Sequence, residues 1–66
     1  MKYPNIEAER ARAGLSKKAV AEHIGVNVRT YQNWQGGRNH IPSDKLCALC
    51  DLLGCSADYL LGRVER

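Results

Sequence analysis

Phenylalanine is absent from this 66-residue chain, and the aromatics amount to one tryptophan and three tyrosines. A core must therefore be built from Leu, Ile, Val, Ala, the cysteines, Trp34 and some of Tyr3, Tyr31 and Tyr59. A single domain of this length buries only about 60% of the surface its unfolded chain exposes, which excludes a large enclosed catalytic cavity. No apolar run approaches the ~18 residues of a membrane span, and no charged start leads into the apolar stretch of a secretion signal. The expected location is cytoplasmic, with no membrane partner. Three cysteines, an odd number without an export signal, read as reduced thiols rather than a disulfide framework.

Catalytic patterns are missing too. No nucleophile, base and orienting third group can be assembled, and no P-loop glycine pattern occurs, so we expect no catalytic residue, no cofactor and no enzyme. Cys47-x-x-Cys50 with Cys55, His23 and His40 lacks the second matched pair of a structural zinc site. No metal site is expected. Cys50 falls on the apolar stripe of a helix, and the cysteines read as packing residues.

What the chain does contain is concentrated between Ser16 and Gly36, SKKAVAEHIGVNVRTYQNWQG. Ser16 is placed to cap a helix carrying Val20, Ala21 and Ile24 on one face. Gly25 ends that helix in a conformation only glycine adopts without a Cβ penalty, and Val26 is placed to pack between the two helices. Asn27 caps the next helix. At ~100° per residue, Tyr31 and Trp34 fall on one side of it and Arg29, Gln32 and Asn33 on the other, with Val28 flanking them. A helix that buries two aromatics and presents Arg, Gln and Asn suits the major groove, where Arg pairs with guanine and Gln or Asn with adenine.

The order Ser16, Val20-Ala21, Ile24-Gly25-Val26, Tyr31, Trp34 and Gly36-Gly37 resembles the helix-turn-helix of the phage repressor and Cro family, which includes bacterial regulators of the xenobiotic-response-element type. Leu15-Ser16, Pro42-Ser43 and Leu53-Gly54-Cys55-Ser56 extend the resemblance over about Ile6 to Gly62, nearly the whole chain. It implies an all-α, five-helix, lambda-repressor-like DNA-binding fold: one domain over 1–66, with its core in 6–62 and the helix-turn-helix in 16–35. Two positions depart from the family pattern. Lys17 stands where the family has Gln, which would keep a phosphate contact and lose some specificity, and Gln35 stands where it has Glu, which removes a negative charge close to DNA. Cys55 takes a position the family fills with valine.

Charge follows the same segment. The net charge is only +3, yet from Arg10 to Lys45 the cations Arg10, Arg12, Lys17, Lys18, Arg29, Arg38 and Lys45 face only Glu22 and Asp44. That excess favours phosphate contact. The residue assignments are therefore Val28, Arg29, Gln32 and Asn33 to bases, Val28 through a thymine methyl. Ser16, Lys17, Lys18, Asn27, Thr30, Gly37, Arg38 and Asn39 go to the DNA backbone, the last three from a glycine-rich loop after Trp34.

The flanking helices are read from spacing. Asn5 is placed to cap a first helix over Ile6 to Ala13, with Glu7, Glu9, Arg10 and Arg12 outward and Ile6 and some alanines inward. Leu15 is a candidate staple before Ser16. Pro42 and Ser43 open a fourth helix with a buried stripe of Leu46, Leu49, Cys50 and Leu53, ended by Gly54. Ser56 caps a short fifth helix, and Gly62 stops it before a charged tail over 63–66. Tyr59, Leu60 and Leu61 offer apolar area for a dimer. The function expected is a sequence-specific regulator of transcription, a repressor binding double-stranded DNA as a homodimer on a palindromic operator. The alternative is an antitoxin or protein-interaction module of the same fold, with a protein partner not named by the sequence.

Overall fold

Each helix of the chain begins or ends where a local hydrogen bond or a glycine dictates. The computed structural model describes residues 2–64; Met1 of the lead-in and Glu65 and Arg66 of the charged tail lie outside them. Five α-helices follow in order: α1 Pro4–Arg12, α2 Lys17–His23, α3 Val28–Gln35, α4 Ser43–Leu53 and α5 Ala57–Leu60. No strand occurs among the described residues. Ser16 Oγ accepts from Ala19 N at 3.0 Å, Asn27 Oδ1 from Thr30 N at 2.8 Å and Ser56 Oγ from Tyr59 N at 3.2 Å. Each side chain thereby satisfies a first-turn donor that has no partner within its helix. Gly25 (φ +82°) lets Val26 N return to Ala21 O at 2.9 Å, which closes α2 and starts the turn into α3. Gly54 (φ +67°) closes α4 in the same way, with Cys55 N on Cys50 O at 3.2 Å.

The core is Tyr3, Ile6, Val20, Ala21, Ile24, Tyr31, Trp34, Leu49 and Leu60, to which every helix contributes. Leu15 and Val26 pack against it from the loops flanking α2. Tyr31 and Trp34 meet edge to face, ring centroids 6.3 Å apart at 66°. Thus α2 packs on α3, and α5 packs on both α1 and α4.

The first helix departs from the sequence expectation. It starts at Pro4 and ends at Arg12, because proline suits the first turn, where its missing N–H is not needed. Asn5 is therefore inside the helix and caps nothing; its Nδ2 instead donates to Tyr59 O at 2.7 Å. The larger correction concerns Glu7 and Glu9, expected to face water and in fact buried, while Ala8, Ala11 and Ala13 are exposed. Ile6 is α1's one buried apolar residue, so the rest of the face it turns inward is carboxylate, made tolerable by Arg10 and Arg12 of α1 itself and by tyrosine hydroxyls from α3 and α5.

In α4 only Leu49 is fully buried; Leu46, Cys50, Leu52 and Leu53 are half-buried, and Pro42 occupies the capping position rather than the first turn. Cys47, expected to pack, is exposed, since it points away from the Leu49 side of the helix. All three cysteines are free. In α5, Leu60 is fully buried and Tyr59 packs on the core while its hydroxyl donates to Glu9 Oε2 at 3.0 Å. The proposed dimer area at Tyr59, Leu60 and Leu61 is thus mostly consumed within the chain, leaving Leu61 and, beyond it, Val64 exposed.

Candidate nucleic-acid interface

With Tyr31 and Trp34 buried at 1% and 3% exposure, α3 has one orientation relative to the core. Arg29 and Gln32 then lie exposed on its outer side, with Asn33 half-buried beside them and Val28 half-buried at the helix start, packed against the core. Of the base-directed set, Arg29 and Gln32 are exposed, whereas Val28 and Asn33 offer only part of their surface. Ser16, Lys17, Lys18, Asn27, Gly37, Arg38 and Asn39 are exposed as well, and Thr30 is half-buried.

The hydrogen bonds decide which of these groups still has a donor to offer an anion. Ser16 Oγ accepts from Ala19 N, which leaves its own proton free. Asn27 Oδ1 receives both Thr30 N and Thr30 Oγ1, the latter at 3.0 Å, so Thr30 has its hydroxyl proton engaged while the Asn27 amide nitrogen bonds nothing among the described residues. In the loop after α3, Gly36 N, Gly37 N and Arg38 N return to Gln32 O, Trp34 O and Asn33 O at 2.9, 3.1 and 3.0 Å. Those amides terminate the helix and do not form an open anion cradle. In this loop the Arg38 and Asn39 side chains carry donors not engaged in that way.

Beneath α3 lies a charged network that sequence spacing missed. Glu7 takes Arg10 Nε and Nη2 at 3.0 and 3.1 Å on its two oxygens and also accepts from the Tyr31 hydroxyl. Arg10 Nη1 reaches Leu15 O at 2.5 Å, just before the Ser16 cap. Burial raises the Glu7 carboxyl, but the hydrogen bonds from Arg10 and Tyr31 and the charges of Arg10 and Lys17 outweigh it and hold the group below the usual carboxylate range. Burial and Glu7 push the Tyr31 phenol up. Lys17 Nζ lies 4.0 Å from Glu7 Oε1, so this assigned phosphate ligand already has a carboxylate beside it; Lys18, Arg29 and Arg38 make no ion pair among the described residues. Two signals pointed here: a Glu-x-x-Arg spacing in a helix poor in apolar residues, and a buried tyrosine in need of a partner.

Two further cations flank the outer face. Lys45 Nζ lies 3.4 Å from where a Cβ on Gly25 would stand, which puts an α4 ammonium against the turn between α2 and α3. Lys2 lies against Gly37 at the other end of α3. No group of three or more His, Cys, Asp or Glu side chains placed to hold a metal ion occurs among the described residues, nor does any helix among them that is long and apolar enough to cross a membrane.

A capped helix, a glycine turn and a second capped helix that buries its aromatics define a helix-turn-helix within an all-α, five-helix domain. The likeness extends to known proteins. Residues 6–60 match the family described as a helix-turn-helix domain, and the chain belongs to this family. It is 30% identical over 60 residues to the HTH-type transcriptional regulator ImmR of Bacillus subtilis, covering 91% of this chain and 47% of that protein. The chain thus spans about half the length of this curated relative. The structure also superposes on the P22 c2 repressor protein, solved in complex with synthetic operator 9T in the presence of Tl+, with a TM-score of 0.79 and 29% identity over 89% of each chain.

Proposed function

We propose that this chain is the DNA-reading part of a transcriptional regulator, seating α3 in the major groove of double-stranded DNA, with no catalytic role. The observation that carries this reading is the opposition on α3 of exposed Arg29 and Gln32 to buried Tyr31 and Trp34. A guanidinium and an amide held on the outer face of a helix that is rigid beneath them supply paired donors and acceptors at base-edge spacing. Arg29 takes guanine, Gln32 and Asn33 take neighbouring bases, and Val28 touches a thymine methyl with the part of it that is exposed. Ser16, Lys17, Lys18, Asn27, Thr30, Gly37, Arg38 and Asn39 line the phosphates, Thr30 and Gly37 by proximity alone because their donors are engaged, with side-chain protons available on Ser16, Lys18, Asn27, Arg38 and Asn39. Support comes from the P22 c2 repressor, whose structure is that of an operator complex.

The finer reading is a cytoplasmic repressor acting as a homodimer on a near-palindrome. One short helix reads only a few base pairs, so two copies with half-sites ~34 Å apart are needed to mark one site. Selection of bound sequences from a random duplex pool is the test. Recovery of a near-palindromic consensus supports the proposal, recovery of unpaired half-sites removes the dimer, and recovery of unenriched pool removes sequence reading.

A further inference from the structure

The lead-in to α1 is tied to the end of α3 by contacts that sequence spacing did not reveal. Lys2 N donates to Gln35 O at 2.8 Å, and Tyr3 N donates to the Gln35 side-chain Oε1 at 3.2 Å. One residue thus holds two consecutive backbone amides, one with its main chain and one with its side chain. Tyr3 anchors the same segment from below, since its ring is buried in the core.

This clamp fixes where Lys2 can be. Its Cδ lies 3.7 Å from where a Cβ on Gly37 would stand, and its ammonium rests 5.8 Å from the centre of the Tyr3 ring. Lys2 is exposed and makes no ion pair among the described residues. The neighbouring chain offers it no carboxylate either: between Glu22 and Asp44 there is neither Asp nor Glu, and Gln35 itself is neutral. An unpaired ammonium whose stem lies against Gly37, next in sequence to Arg38 in a stretch without acidic residues, is a standing site for an anion.

Resting on the reading of α3 as the DNA-facing helix, we propose that Lys2 is a further phosphate ligand, continuing the Arg38 and Asn39 contact past the end of α3, and that Gln35 is its positioning residue. A glutamate at 35 would accept the same Tyr3 amide but would set a negative charge beside the ammonium; glutamine accepts without the charge. The main-chain bond from Lys2 would survive changes at 35, whereas the side-chain bond that orders Tyr3 N would not.

The test is a salt titration of affinity, with the full chain on its selected duplex and on a scrambled one. Lys2→Gln should weaken both complexes several-fold and lower the slope of log affinity against log salt by about one unit, as Arg38→Gln should, while Lys2→Arg should retain the parental slope. Gln35→Met should lower the slope too, and adding Lys2→Gln to it should lower it no further. A parental slope in Lys2→Gln with a reduced slope in Arg38→Gln overturns the Lys2 assignment alone. A Gln35→Met protein that melts lower yet keeps the parental slope overturns the positioning role, and a parent that binds neither duplex overturns the DNA reading and this inference with it.

Discussion

The hydroxyl of Tyr31, on α3, donates to Glu7 Oε2 on α1. Through Glu7 and Arg10 the bond continues to Leu15 O, so the tilt of α3 and the entry into α2 depend on one buried carboxylate. Tyr31→Phe keeps the ring in the core and deletes only the donor, leaving a buried charged acceptor short of one partner. It should destabilise the chain by about 1–3 kcal/mol in urea unfolding, with little change in the slope of the transition. A midpoint equal to the parent's would show that Arg10 alone satisfies Glu7.

Acid should act through the same group. Glu7 and Glu9 are both held below the usual carboxylate range: burial opposes this, while Arg10 and Tyr31 at Glu7, and Arg12 and Tyr59 at Glu9, more than reverse it. For a carboxyl lowered on folding, the unfolded chain binds the proton more readily, so the stabilisation is complete above the ordinary carboxyl pKa of about 4.3 and is lost as pH falls through the folded values. Unfolding midpoints should therefore drop from about pH 5 downward, and Glu7→Gln should be less stable than the parent at neutral pH but lose less on acidification. Parallel acid limbs for the two proteins would assign the acid sensitivity to other groups. Tyr31, raised on folding, works in the opposite sense, its contribution being full below the ordinary phenol value and lost as pH rises toward its folded one.

Trp34→Ala should cost roughly 3–5 kcal/mol, the range for emptying a large aromatic site in a core. The side chain is 3% exposed and edge-on to Tyr31, so the neighbours that could collapse into the space are themselves held. Against the modest total stability of a small domain, such a loss should leave the variant largely unfolded at 37 °C by circular dichroism. Parent-like melting would mean that α3 is rotated from the orientation described.

Arg29 and Lys18 should separate specificity from affinity. Arg29→Ala should cost about 1–3 kcal/mol on the selected duplex, flatten the preference at one base pair of each half-site and leave scrambled DNA almost unaffected. Lys18→Gln should weaken both duplexes alike and reduce the salt slope by about one unit. Equal losses on both duplexes for Arg29→Ala would make it a phosphate ligand and move sequence reading to Gln32 and Asn33.

The caps at Ser16, Asn27 and Ser56, the left-handed turn at Gly25, the end of α4 at Gly54 and the split of α3 into an aromatic and a polar side were all legible along the chain. These features are local: a side-chain oxygen three residues from an unpaired amide, a residue without a Cβ, and a 100° step are properties of neighbouring residues whatever the rest of the protein does. Folding decided the charged side of α1 and the fate of α5. Spacing says which residues share a face but not what lies against it, and a carboxylate is buried only where donors arrive from elsewhere: Tyr31, 24 positions from Glu7, and Tyr59, 50 from Glu9. The same holds for Leu60, read as dimer surface but buried where α5 meets α1 and α4, and for Gln35, whose two bonds to the lead-in join segments more than thirty positions apart. Those pairings depend on how helices of known face are stacked, which the core geometry sets and no window of neighbouring residues contains.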